Sequence, residues 1–189
     1  MGYKLFQKQR KSPYCVLDYM DGYEDDFKLF KGISVSKEWP GDVSFPMDDD
    51  FKKLIKLSDH LDNQQSFIIA SPKLRNVFED ENVKYVEYLA IKVLNHKNRI
   101  ASDDYCIVNS VTTQDCMDVE KSGVTWNRIV PEDIQKADHL TLDEAKIKTD
   151  ATLFRVKGIR NAVFVRDDLA EKISERECTG MEFRDIGDY

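Results

Sequence analysis

The chain has 189 residues, 41% hydrophobic and 33% charged, with 5 Pro, 8 Gly and no low-complexity stretch; this excludes a disordered chain and fits one soluble domain over residues 1–189, burying roughly 70% of its unfolded surface. The balance of 35 acidic against 28 basic residues, net -7, disfavours nonspecific nucleic-acid binding, which needs clustered cations, and draws in a basic protein partner. No apolar run nears the roughly 18 residues of a membrane span, no apolar leader occupies the first ten positions, and Cys15, Cys106, Cys116 and Cys178 are scattered without a C-x-x-C pair, so the reducing cytoplasm is the expected location.

Residues 3–7 and 14–20 are β-rich runs separated by a polar segment ending at Pro13, and they predict an N-terminal hairpin. From Asp21 to Met47, acidic residues with Gly22, Gly32, Pro40, Gly41 and Pro46 predict a long, partly irregular connection. Phe51, Leu54, Ile55 and Leu57 are spaced for one or two helical turns. Residues 67–70 predict a buried strand, after which Ser71 stands as N-cap, Pro72 at the first helical position, and Leu74, Val77 and Phe78 on one helix face. Residues 83–94 alternate as a strand, Asn95 to Asn98 form a turn, and residues 99–100 and 105–111 continue a β-meander. Residues 115–123 read as a loop, 126–130 and 139–142 as short strands, and 143–147 as one helical turn. Strands at 152–156 and 162–165 meet at a turn begun by Lys157 and Gly158, and a helix at 167–175 with a strand at 181–186 follows.

Two of these stretches match. Shifting residues 67–89 by 95 positions lays them on 162–184 without a gap, with Ile68 on Val163, Leu74 on Leu169, Phe78 on Ile173, Glu87 on Glu182 and Tyr88 on Phe183. Identity is confined to Leu74/Leu169 and Glu87/Glu182, a level that unrelated strand-helix-strand units also reach, so duplication and shared pattern both stand open at this point. The fold class is α+β, a mainly antiparallel or mixed β-sheet with two short strand-helix-strand units. Helices do not alternate with strands along the whole chain, as a doubly wound nucleotide-binding fold requires.

The search for chemistry yields no catalytic residue, no cofactor site and no metal site. His60, His96 and His139 stand in unrelated contexts without zinc-ligand spacing, and no G-x-S-x-G elbow, Walker loop or dinucleotide fingerprint occurs. A nucleophile at Cys106 or Cys116, activated by a histidine, would make the chain an enzyme with an unrecognised active site; against this, Cys106 lies in an apolar run where a small core residue is the ordinary reading. Trp39 and Trp126 are read as core residues whose exposure would turn them into interface anchors. Among the carboxylates, Asp48, Asp49, Asp50, Asp103 and Asp104 are the candidate partner-binding residues, an acidic face that steers a basic partner, with solvated turns as the competing reading.

Short segments in order along the chain then carry a resemblance. Tyr105-Cys-Ile-Val-Asn-Ser-Val, Cys116-Met-Asp-Val-Glu-Lys-Ser122, Leu153-Phe-Arg-Val, Ala162-Val-Phe-Val and Gly180-Met-Glu-Phe are preceded by Phe30-Lys-Gly32, Trp39-Pro40, Leu57-Ser-Asp59 and Ile69-Ala-Ser71. With them the chain resembles the immunity protein eleven family of bacterial polymorphic-toxin systems. The resemblance implies a cytoplasmic antidote that binds a cognate toxin domain and blocks it by surface complementarity, with no enzyme activity, cofactor, nucleic acid or membrane involved. A non-catalytic module with another partner is the further alternative. An antidote interface would bury roughly 1,600 Å². The sequence departs from the family pattern at Arg166, where the family carries a capping Ser; Asp167 is expected to cap instead and to start the helix one residue later.

Overall fold

The computed structural model describes residues 2–188. Strand residues outnumber helical ones, 30% against 18%, so the α+β reading holds. In chain order the strands are β1 (Tyr3–Lys8), β2 (Val16–Leu17), β3 (Ser44–Pro46), β4 (Asp62–Asn63), β5 (Ile69–Ala70), β6 (Val86–Ala90), β7 (Lys92–Leu94), β8 (Ile100–Ser102), β9 (Cys106–Ser110), β10 (Thr113–Gln114), β11 (Thr125–Trp126), β12 (Ile134–Lys136), β13 (Leu153–Val156), β14 (Val163–Arg166) and β15 (Met181–Asp185). The helices are α1 (Phe27–Phe30), α2 (Pro72–Asp80), α3 (Val119–Ser122) and α4 (Asp167–Glu175). The largest sheet runs β10-β13-β14-β1-β15, the next two β5-β9-β6 and β3-β7-β8.

The two matching stretches fold into one and the same unit. In unit one, β5 and β6 flank β9 and run antiparallel to it, with α2 crossing between them. In unit two, β14 and β15 flank β1 in the same sense, with α4 crossing. The register agrees pair by pair: Ile69 faces Ile107 as Phe164 faces Leu5, and Tyr88 faces Val108 as Phe183 faces Phe6. The flanking strands thus correspond at a shift of 95 (69 to 164, 88 to 183) and the inserted strands at 102 (107 to 5, 108 to 6). The inserted strand follows unit one in the chain and precedes unit two, which makes the units circular permutations of one another. Backbone exceptions fall in step as well: Asn82 and Glu177 both have φ of 50°, and Tyr85 at 59° stands where Gly180 has 91°.

Burial explains why the inserted strands are central. Side chains alternate between strand faces, yet every residue of β9 is buried, and Leu5 and Phe6 of β1 enter different apolar clusters. Such strands must be covered on both faces and paired on both edges. One cluster joins the units: Leu74, Val77 and Phe78 of α2 meet Leu169, Ala170 and Ile173 of α4 over Phe6, Val108 and Val165. Burying a large apolar side chain of this kind is worth about 1.5–3 kcal/mol. Asp59 adds a polar stitch, accepting from Ser71 Oγ at the start of α2 (2.8 Å) and from the N–H (2.8 Å) and hydroxyl (3.0 Å) of Thr179 before β15.

Several expectations are corrected. No N-terminal hairpin forms: both edges of β1 are taken by β14 and β15, and β2 pairs in parallel with β4. The 51–57 segment is not an amphipathic helix; a 3-10 turn at Asp49–Phe51 ends at its first residue, and Phe51 and Ile55 are exposed. The middle of the chain is not a simple meander, since β7 and β8 join β3 while β9 returns to β6. Residues 115–123 hold α3, capped by the Asp118 side chain and ended by Gly123 in the left-handed region. The strand expected at 139–142 is reduced to an isolated Met117–Leu142 bridge. At α4, Arg166 and not Asp167 occupies the cap position, and it makes no capping bond; its guanidinium instead forks onto Asp168 (2.8 and 2.7 Å) and donates to the Thr149 carbonyl.

Candidate functional site

The five aspartates singled out from the sequence do not share one setting. Asp48 is buried, its carboxylate accepting from Asp50 N–H (2.8 Å) and Gln64 Nε2 (2.6 Å). Asp49 is exposed beside the β7–β8 turn; Lys52 (3.2 Å) and then His96 (3.1 Å) hold its carboxyl below the usual range. Asp50, Asp103 and Asp104 are exposed as well. Asp103 and Asp104 follow the far end of β8 from that turn, roughly 10 Å along the strand, so the exposed aspartates fall into two small groups.

The cysteines that motivated an enzyme reading are sealed in separate clusters, Cys106 with α2 and α4 and Cys116 beneath β13 and β14. Burial pushes both thiols up to about 11, where the nucleophilic thiolate is scarce at neutral pH. His60, wedged edge-on against Phe6 at 5.1 Å, is pushed down to about 4 by burial. Its neutral ring places Nδ1 3.3 Å from the Ile69 carbonyl, an acceptor, which assigns the proton to Nδ1. Among the described residues no group of three or more His, Cys, Asp or Glu is placed to hold a metal ion. Trp39 is half-buried, donating to the Ala90 carbonyl (2.9 Å), whereas Trp126 is 42% exposed, which corrects its core assignment.

The feature that stands out comes from comparing the units. On unit one, Arg75 of α2 lies over the Tyr88 ring of β6 at 4.9 Å and is held there by Glu79 (2.8 Å), closing the seam between helix and strand. The equivalent residues of unit two, at the same shift of 95, are Ala170, Ser174 and Phe183. A methyl group and a hydroxyl replace the guanidinium and carboxylate, and Ser174 turns back to the Ala170 carbonyl (2.8 Å). The seam between α4 and β15 is therefore open, a groove of about 590 Å³ floored by Ala170, Ile173, Met181 and Phe183.

Its rim is acidic. Asp167, Glu171, Glu175 and Glu182 line it against Lys4 alone. Lys4 pairs with Asp185 (3.2 Å), Glu175 with Lys172 (2.8 Å) and Glu182 with Arg184 (2.8 Å), while among the described residues Asp167 and Glu171 have no cationic partner. The shared glutamates also differ in use. Burial pushes Glu87 up, but hydrogen bonds from Ser34, Val35, Ser36 and Asn109 outweigh it and hold the carboxyl low, fixing the loop at 34–36 along the outer side of β6. Glu182 is held low by the Arg10 N–H (3.1 Å) and then by Arg184.

None of the five candidate aspartates lines this groove. The signal that could have found it was in the repeat: Ala170 and Ser174 fall where Arg75 and Glu79 stand, a loss of bulk and of charge pairing on one copy. Across the whole chain, the immunity protein family Imm11 matches residues 4–188. No curated protein matches the chain.

Proposed function

The chain belongs to the Imm11 immunity protein family, and on that premise we propose that it binds a cognate toxin protein in the bacterial cytoplasm and neutralises it by covering its surface, without chemistry of its own. Family membership supports an immunity function; the α4–β15 groove supports the manner of it. An apolar floor whose rim carboxylates Asp167 and Glu171 have no cationic partner among the described residues is complementary to a basic, amphipathic segment of the partner: apolar side chains fill the floor and Lys or Arg meets Asp167 and Glu171. Anchors seated in a desolvated pocket carry most of the energy of such interfaces, while rim charges speed encounter. The exposed Asp49, Asp50, Asp103 and Asp104 add to the same negative field.

The observation that carries this reading is the opening of one copy of a unit whose other copy is closed. Its test is co-expression of the chain with the C-terminal toxin domain encoded by the neighbouring gene. Growth restored and a stable complex on co-purification are expected; growth arrest unchanged, with no complex, contradicts the proposal.

A further inference from the structure

Arg155 lies outside the α4–β15 groove. It projects from β13, three strands from β15 and roughly 15 Å away across the sheet. Only 6% exposed, it has no carboxylate partner among the described residues. Its Nη1 donates to the Arg160 carbonyl (3.2 Å), and its buried Nε–H has no acceptor. Gly32, at φ +64°, presses on the stem: a Cβ there would lie 3.1 Å from Arg155 Cδ and 2.6 Å from the Ser110 carbonyl oxygen, so the side chain is held in place.

The guanidinium borders a cavity of about 340 Å³ walled by Phe30, Val156 and Ile159. Other cations around this cavity are neutralised: Lys31 by Glu132 (3.6 Å), Lys157 by Asp115 (2.7 Å) and Arg160 by Asp133. One unanswered positive charge is left, in a chain of net charge -7. Burial pushes this guanidinium down to about 10, still cationic at neutral pH. A buried unpaired charge destabilises a fold compared with an apolar side chain of similar size, so its presence calls for a ligand.

We propose that the cavity beside Arg155 binds a carboxylate. Among the described residues Nε–H and Nη2 have no protein acceptor, and the planar, fork-shaped guanidinium suits the two oxygens of a carboxylate. A single negative charge balances the one guanidinium beside this cavity that has no carboxylate partner among the described residues. The carboxylate belongs either to a free acid or to an acidic side chain or C-terminus of the partner protein, and the experiment separates these.

The full ¹⁵N-labelled chain is titrated with acetate at constant ionic strength, following the Arg155 Nε–H resonance. A saturable shift in about the millimolar range, the strength so small a ligand allows, is expected, along with a thermal midpoint that rises with acetate. Arg155→Met should abolish that rise and, without acetate, should unfold no earlier than the parent. Toxin-domain capture lost in Arg155→Met assigns the carboxylate to the partner, and capture retained assigns it to a free acid. An Nε–H unmoved by acetate, an equal response to chloride, a stronger response to phosphate, or an Arg155→Met variant clearly less stable than the parent would each overturn the proposal.

Discussion

Units one and two share register, helix length and backbone exceptions, yet one is closed and the other open. In unit one Arg75, Glu79 and Tyr88 seal the helix against the strand, and Glu87 binds a loop along the sheet edge. In unit two Ala170, Ser174 and Phe183 put no such pair over the floor, and among the described residues two of the four rim carboxylates, Asp167 and Glu171, have no cationic partner. The frame tolerates both, because Leu74 and Leu169, Phe78 and Ile173 occupy equivalent buried places in the shared core. What differs is which positions each helix turns inward: Arg75 is exposed where Ala170 is buried, and Val77 is buried where Lys172 is exposed.

The frame itself should respond alike in both copies. Leu74→Ala and Leu169→Ala each remove a fully enclosed side chain and should each cost about 3 kcal/mol in urea denaturation. A large loss at one position and none at the other would break the equivalence.

His60 probes the seam, touching Phe6 of unit two and the Ile69 carbonyl of unit one. The unfolded chain protonates it near 6.5, the folded chain only near about 4. Between these values the unfolded state holds the extra proton, so this contribution is complete above 6.5 and falls as pH drops towards 4, by on the order of 3 kcal/mol. Denaturation at a series of pH values should show that slope flattened in His60→Gln; an unchanged slope places the titration elsewhere.

The turn before the last strand of each unit distinguishes the copies next. A Cβ at Gly180 would run into the His60 carbonyl at a φ of 91°, so Gly180→Ala should cost about 2 kcal/mol. Tyr85 already holds the equivalent left-handed backbone, and Tyr85→Ala should cost about 1 kcal/mol or less. Smaller again is the capping contrast. Ser71→Ala removes a side-chain acceptor for Leu74 N–H and should cost about 1 kcal/mol, while Arg166→Ala removes no cap and should cost about half as much. Thermal denaturation of the four variants ranks them. Glu171→Lys should leave stability within about 0.5 kcal/mol and slow toxin association several-fold at low salt, read by stopped-flow mixing.

Much of this frame was legible in the sequence. Ser71, Pro72 and the Leu74, Val77, Phe78 face define α2 as local signals do, and the 95-residue shift identifies unit two. Strand partners were not legible, because the tight turn that makes neighbours of β7 and β8 is absent between β1 and β2, and β1 finds its partners some 160 residues on. Short elements such as α3 owe their form to caps, Asp118 and Gly123, that polar loops also contain. The acidic clusters at 48–50 and 103–104 were conspicuous by composition, whereas the groove is defined by what Ala170 and Ser174 lack, visible only against the other copy.

The most direct test exchanges the two seams and measures affinity for the cognate toxin domain. Ala170→Arg with Ser174→Glu gives unit two the sealing pair of unit one, and Arg75→Ala with Glu79→Ser does the reverse; circular dichroism confirms that both variants fold. Closing unit two should weaken toxin binding at least about tenfold, the loss of one buried anchor, and opening unit one should leave it unchanged. Full affinity after closing unit two in a folded protein would contradict the account.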